Sequence, residues 1–197
     1  MTHIGIFLDR DGTINHEVDF LRTPEQLTLI PGSADAIREA NGCGWKVFVI
    51  TNQSAVARGF LTEEKLAGIH AGLGALLRKH NAAVDAMYYC PHHPELGLGV
   101  YRMACDCRKP NTGMLTRAAH EFNVDLKKSF VIGDKMTDVQ TGINGGATSI
   151  LVLTGYGKEE LRLCRENHVP IDHVAESLYE AMQYVKSIVQ YKQPSLC

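Results

Sequence analysis

A chain of 197 residues with 45% hydrophobic content has room for one well-packed domain and little room for a second. The formal net charge of -2 leaves no basic footprint for nucleic acid, and no apolar run approaches the roughly 20 residues that span a bilayer. The start Met1-Thr2-His3 lacks the basic and apolar regions of an export signal. A cytoplasmic location is therefore expected, with the six cysteines kept free or metal-bound rather than paired.

The first element is the apolar run Ile4–Leu8, the pattern of a strand buried on both faces of a parallel sheet. Asp9 and Asp11 follow at its carboxyl end, and Gly12 lets the chain turn. Side-chain alternation in an extended segment predicts that both aspartates project to one side while Arg10 points away. Two carboxylates that close repel each other unless a cation lies between them, and Mg2+ is the simplest hard cation for oxygen ligands. Helical spacing follows over Ala34–Asn41, stopped by Gly42.

The second predicted strand, Lys46–Thr51, ends in Thr51-Asn52-Gln53-Ser54, whose hydroxyls, amides and turn N–H groups suit phosphate oxygens. A helix over Glu63–Lys79 starts at Thr62 with two acidic residues, and a third strand is predicted at Ala86–Tyr89. Helix Thr112–Phe122, strand Ser129–Gly133, helix Met136–Asn144 and strand Thr148–Leu153 complete the alternation, with a last helix from the capping-box sequence at Ser177. Such alternation specifies βαβ units: a Rossmann-like parallel sheet with helices on both faces, forming a single α/β domain over residues 1–197.

Ligands of such sheets sit beyond the carboxyl ends of the strands, and each strand here is followed by polar residues suited to one task. Asp9 and Asp11 follow the first strand, and Thr51 the second. Lys109 lies in Cys105-Asp106-Cys107-Arg108-Lys109-Pro110, and Asp134 follows the fourth strand. Asp138, one helical turn beyond Asp134, is expected to support it. Taken alone, each is an ordinary turn, helix start or surface lysine; the ordered series is far more specific than any member. Cys90-Pro91-His92 and Cys105-Asp106-Cys107 add two paired-ligand clusters flanking a loop, a set suited to tetrahedral Zn2+. With four protein ligands and no open position this zinc is structural, pinning His93–Ala104 and aiming Arg108 and Lys109. Cys43, Cys164 and Cys197 stand outside any ligand spacing.

With these motifs the sequence resembles the haloacid-dehalogenase-like phosphohydrolases, whose signature is present as Asp9-Arg10-Asp11-Gly12-Thr13. Within them it is most similar to the D-glycero-D-manno-heptose 1,7-bisphosphate 7-phosphatase family. That narrower likeness rests on Phe7–Asn15, Thr51–Ser54, Ala57–Gly59, Cys90–Pro94, Cys105–Pro110 and Gly133–Lys135. The resemblance implies a magnesium-dependent phosphomonoester hydrolase of heptose and lipopolysaccharide biosynthesis acting through an aspartyl-phosphate. Asp9 would be the nucleophile and Asp11 the general acid and base. Asp9, the carbonyl of Asp11 and Asp134 would hold Mg2+, while Thr51 and Lys109 hold the phosphoryl group. Substrate contacts would come from the loop Glu17, Val18, Asp19 and Phe20, from Thr51, Asn52, Gln53 and Ser54, and from Arg108, Lys109 and Lys135. The Glu17–Phe20 residue types, and Ala55 where the family commonly has glycine, depart from the pattern.

The spacing between motifs leaves no room for a large cap domain, so an open cleft bordered by the zinc loop is expected. The expected partner is a small sugar bisphosphate, with neither nucleic acid nor membrane involved and the protein a monomer. Two rival readings are a histidinol-phosphate phosphatase, whose substrate amine would want Glu17 or Asp19, and a catalytically silent zinc-stabilised binding module. The long loop between the knuckles leans toward the heptose bisphosphate, and the intact set Asp9, Asp11, Lys109 and Asp134 argues against the silent module.

Overall fold

The computed structural model describes residues 2–192. Six strands, β1 (Gly5–Leu8), β2 (Lys46–Asn52), β3 (Ala86–Cys90), β4 (Phe130–Gly133), β5 (Thr148–Val152) and β6 (His173–Ala175), form one sheet in the order β3-β2-β1-β4-β5-β6. All five pairings are parallel. The helices are α1 (Ser33–Gly42), α2 (Ser54–Ala57), α3 (Glu63–Lys79), α4 (Gly113–Phe122), α5 (Met136–Gly145), α6 (Gly157–Glu166) and α7 (Leu178–Lys192). The order reverses between β1 and β4, and the crevice such a reversal opens at the strands' carboxyl ends is where ligands of open α/β sheets bind. Asp9 and Asp134 immediately follow those two adjacent strands.

Strand alternation divides the core. Ile6, Leu8, Val47, Val49, Ile132 and Ile150 pack with residues of α1, α3 and α7, including Ile37, Leu73, Leu77, Met182 and Val185. Phe7, Phe48, Ile50, Tyr88 and Val131 pack on the other face against Met114, Leu115 and Ala118 of α4, with the Phe7 and Phe48 rings stacked 5.0 Å apart. A smaller cluster joins Leu21 to Ala55, Val56, Leu61, Leu66 and Ile69, fixing the segment after β1 onto α2 and α3.

The longest internal helix, α3, shows why the local sequence folds as it does. Thr62 Oγ1 accepts from the Lys65 N–H at 3.2 Å, Glu63 and Glu64 occupy the first turn, and Arg78 and Lys79 close the last. Its buried stripe Leu66, Ile69, Leu73 and Leu77 has helical spacing. The connections β1–α1 and β3–α4 carry only short 3-10 turns.

The expected strands and helices are present with ends shifted by at most one residue, but α2, α6 and β6 were not anticipated. Helix α2 is a single turn and β6 three residues, too short for a periodic signal. Helix α6 buries only Gly157 and Cys164, so its sequence shows no apolar stripe. Cys197 lies outside the described residues.

Candidate active site

Asp9 continues the ladder beyond β1, its N–H donating to the Ile132 carbonyl at 3.0 Å. The alternation expected from there does not persist. The N–H groups of Ile14 and Asn15 both converge on the Arg10 carbonyl, at 2.9 and 3.1 Å, so the chain turns at once. Arg10 therefore does not point away: it is 1% exposed, and its guanidinium folds back onto the Asp11 carboxylate, Nε to Oδ1 at 3.0 Å and Nη2 to Oδ2 at 2.6 Å. Asn15 Nδ2 and Gln53 Nε2 donate to the same two oxygens at 2.9 and 3.0 Å. Burial works against ionisation of Asp11, yet Arg10 and these hydrogen bonds outweigh it and hold its pKa below the usual range.

The carboxylates that meet are Asp9, Asp134 and Asp138, all buried, each offering one oxygen within 4.8 Å of the others. The Asp11 side chain is not in this cluster, so only its backbone carbonyl is left for the expected ligand role. Asp134 is wedged between two glycines whose left-handed φ of +81° (Gly12) and +54° (Gly155) brings the backbone against it; a Cβ on either would overlap its carboxylate. Its Oδ2 accepts from the Tyr156 N–H at 2.9 Å, while Oδ1 is buried with no hydrogen-bond partner among the described residues. Burial and then the Asp9 charge push its pKa up to about 8, and burial pushes Asp138 up to about 6 despite Lys109. An acidic group held this far from its ordinary range, with an orphaned oxygen, fits a hard divalent cation such as Mg2+.

Lys109 is buried beside this cluster. Its Nζ donates to the Ile50 carbonyl at 2.9 Å and to Asp138, and lies 2.9 Å from Asp9 Oδ1. Burial disfavours the ammonium, but Asp138 and Asp9 more than compensate and raise its pKa. Asn52 holds the Lys109 backbone at both ends, accepting from its N–H at 3.0 Å and donating to its carbonyl at 3.1 Å. Buried Thr51 accepts from Gln53 Nε2 at 2.9 Å.

A cavity of about 200 Å³ opens in front of Asp11. Glu17 to Phe20, Asn52 to Ser54 and Lys135 line it, and so do Arg10 and Tyr156, which sequence reasoning did not single out. Lys135 Nζ pairs with Glu17 at 3.2 Å and lies 5.0 Å from the centre of the Tyr156 ring. Burial raises the Glu17 pKa, with Lys135 opposing. Thr51, Arg108 and Lys109, also expected at the substrate, do not line it: Thr51 and Lys109 are buried, and Arg108 is tied to the loop that precedes it, donating to the His92 carbonyl at 2.9 Å. A larger groove of about 1020 Å³ runs beside α4, but its Arg117 and Glu121 neutralise each other at 2.8 Å and it gathers no comparable chemistry.

Cys90, His92, Cys105 and Cys107 also converge. The sulfurs of Cys105 lie 3.5 and 3.3 Å from those of Cys90 and Cys107, and His92 Nδ1 lies 3.8 and 3.6 Å from Cys90 and Cys107. A tetrahedron with Zn–S bonds of about 2.3 Å has edges of about 3.8 Å, so the set fits zinc. Burial and the neighbouring sulfurs raise the Cys107 thiol pKa, a cost that a central cation reverses. His93 faces elsewhere, its Nδ1 accepting from the Glu95 and Leu96 N–H groups at 3.1 and 2.9 Å. The loop is moored by Glu63, which accepts from Tyr89 at 2.6 Å and Tyr101 at 2.7 Å.

A family model described as HAD-hydrolase-like matches residues 106–181, the stretch that carries Lys109, Asp134 and Asp138. Together with the parallel sheet and its carboxylate edge, this makes the protein a haloacid-dehalogenase-like hydrolase. A Thermosynechococcus vestitus protein named D-glycero-D-manno-heptose-1,7-bisphosphate 7-phosphatase is 39% identical over 189 residues, 94% of this chain and 96% of the relative. A Haemophilus influenzae D-glycero-beta-D-manno-heptose-1,7-bisphosphate 7-phosphatase is 36% identical, covering 93% of this chain and 97% of its own. The crystal structure of the D,D-heptose 1,7-bisphosphate phosphatase from B. bronchiseptica, complexed with magnesium and phosphate, superposes with a TM-score of 0.83 at 33% identity, over 94% of this chain and 99% of that one. The chain belongs to the D-glycero-D-manno-heptose-1,7-bisphosphate 7-phosphatase family.

Proposed function

We propose that this enzyme removes the C7 phosphate of D-glycero-D-manno-heptose 1,7-bisphosphate, leaving the C1 phosphate in place. The observation that carries the reading is the meeting of Asp9, Asp134, Asp138 and Lys109 at the sheet reversal, where Arg10 and Lys135, the chain neighbours of Asp9 and Asp134, line a cavity together with Asp11 and Glu17 to Phe20. Asp9, Asp134 and the Asp11 carbonyl would hold Mg2+, which when bound would supply the charge neutralisation a dianionic phosphate needs in order to approach a carboxylate.

Lys109 and Thr51 steady the phosphoryl oxygens. An Asp9 oxygen attacks phosphorus, forming an aspartyl-phosphate as the bond to the sugar oxygen breaks. The bound phosphate dianion raises the Asp11 pKa from the low value Arg10 gives it, so Asp11 takes up a proton from solvent and passes it to that departing oxygen. The ionised Asp11 then takes a proton from water, whose oxygen attacks phosphorus and releases inorganic phosphate, restoring Asp9. Glu17, Lys135 and Tyr156 face the sugar across the cavity. Cys90, His92, Cys105 and Cys107 would hold Zn2+, which when bound would keep the loop before Arg108 and Lys109 in place. No helix of the described residues is long and apolar enough to cross a membrane. We place the enzyme in the cytoplasm as a monomer acting on a small diffusible substrate.

The test compares phosphate release from the two heptose bisphosphate anomers and from histidinol phosphate, with Asp9→Asn alongside. The reading expects a heptose bisphosphate to be the best substrate and Asp9→Asn to lose at least about a thousandfold in rate. Preference for histidinol phosphate would move Glu17 and Asp19 to amine recognition. Retention of most activity by Asp9→Asn would remove the aspartyl-phosphate route.

A further inference from the structure

We propose that Arg10 is a positioning residue: with Gln53, it sets the orientation in which the Asp11 carboxylate meets the oxygen leaving phosphorus. The proposal rests on the reading of Asp11 as the proton donor. Arg10 heads the largest fully buried side chains in the molecule. An apolar residue would fill that space without removing a guanidinium from water, so packing does not account for an arginine there. Its planar fork instead matches a carboxylate edge to edge, and both contacts are made, Nε to Asp11 Oδ1 at 3.0 Å and Nη2 to Oδ2 at 2.6 Å.

The fork is itself held in place. Arg10 Nη2 donates to Gln53 Oε1 at 3.2 Å, and the amide nitrogen of that glutamine donates to Asp11 Oδ2 at 3.0 Å and to Thr51 Oγ1 at 2.9 Å. A continuous set of hydrogen bonds therefore runs from the buried Thr51 hydroxyl, through Gln53, to the Arg10–Asp11 pair. The remaining side of Asp11 is closed by Asn15 Nδ2 at 2.9 Å. A bidentate pair plus two lateral donors fixes the carboxylate plane, not merely its location. Proton transfer depends on that plane, because the donor must point at the leaving oxygen.

The experiment reads single-turnover release of the leaving group from two esters, a sugar phosphate whose alcohol must be protonated and p-nitrophenyl phosphate whose phenolate need not be. The variants are Arg10→Met, Arg10→Lys, Asp11→Asn and the Arg10→Met/Asp11→Asn double. Expected is a loss of about 10- to 100-fold for Arg10→Met on the sugar phosphate, with less than about threefold on the aryl ester. KM should be little changed, Arg10→Lys should recover part of the rate, and the double variant should be no slower than Asp11→Asn alone. Equal losses on both esters, or losses that add in the double variant, would overturn the proposal while leaving Asp11 as the acid. Wild-type release of the sugar by Asp11→Asn would instead overturn the reading of Asp11, and the proposal with it. If Arg10→Met does not fold, as judged by circular dichroism, Gln53→Leu carries the same comparison. An ester-selective loss then supports the proposal, and an unselective one ends it.

Discussion

Replacing Lys109 by methionine keeps most of the side chain's volume and removes the ammonium between Asp9 and Asp138. At an effective dielectric of about 20, unit charges at the 2.9 Å separation of Lys109 and Asp9 attract by about 6 kcal/mol, most of it offset by the cost of desolvating both groups. Deleting one partner leaves that desolvation uncompensated, which for buried pairs costs about 3–5 kcal/mol. Set against a typical total of about 5–15 kcal/mol, this is a large fraction of the stability.

The carboxylates have one escape, which is to take up a proton. Asp138 already titrates near 6 with Lys109 beside it, and without the lysine its pKa rises further. A carboxylate whose pKa is higher in the folded than in the unfolded state binds more protons when folded, so the folded state gains as pH falls. Urea unfolding with EDTA present, followed by circular dichroism, should therefore show Lys109→Met destabilised by about 3–5 kcal/mol at pH 8 and by less than about 2 kcal/mol at pH 5, with an unchanged m-value. A deficit below about 1 kcal/mol at pH 8, or one that widens on acidification, would refute the account of Lys109 as the compensating charge of a buried cluster.

Two further outcomes follow from the metal clusters. Because Asp134 titrates near 8 against 3.8 for an ordinary aspartate, the EDTA-treated protein should lose stability as pH rises from about 4 to about 8. Mg2+ binding should strengthen over the same interval and release protons, read by calorimetry in buffers of different ionisation enthalpy; pH-independent affinity would contradict it. Freshly purified protein should contain about one zinc per chain, and Cys105→Ser should both lower that content and expose the His93–Ala104 segment to limited proteolysis. Unchanged protease resistance in a zinc-free variant would show that the Glu63 mooring suffices without the metal.

Much of the architecture was readable because the buried strands carry their own signature. Ile6, Phe7 and Leu8 are apolar on both faces, and the alternation of such runs with helical spacing leaves few topologies open. The gathering of Asp9, Lys109 and Asp134 followed from one rule about strand ends. The orientation of Arg10 was not legible, since the rule of alternation holds only while the chain is extended, and three N–H groups folding onto one carbonyl end that extension immediately after Asp9. Tyr156 was hidden for a different reason. It reaches the cavity from the start of α6, whose mostly exposed sequence gave no periodic signal, although Thr154-Gly155 just after a strand could have marked the turn. Arg108 follows Cys107 and was expected at the substrate; adjacency in sequence cannot distinguish a side chain aimed inward from one bonded to its own loop.

The two hydrogen bonds from Asn52 to the backbone of Lys109 join positions 57 residues apart. They anchor the ammonium to the end of β2, so its position does not depend on the length of the loop that precedes it in the chain. Residues can be gained or lost between Cys90-Pro91-His92 and Cys105-Asp106-Cys107, a segment that does not line the cavity in front of Asp11, while the charge opposite Asp9 stays where it is. Length changes in that loop are thus uncoupled from the placement of the ammonium that touches both Asp9 and Asp138.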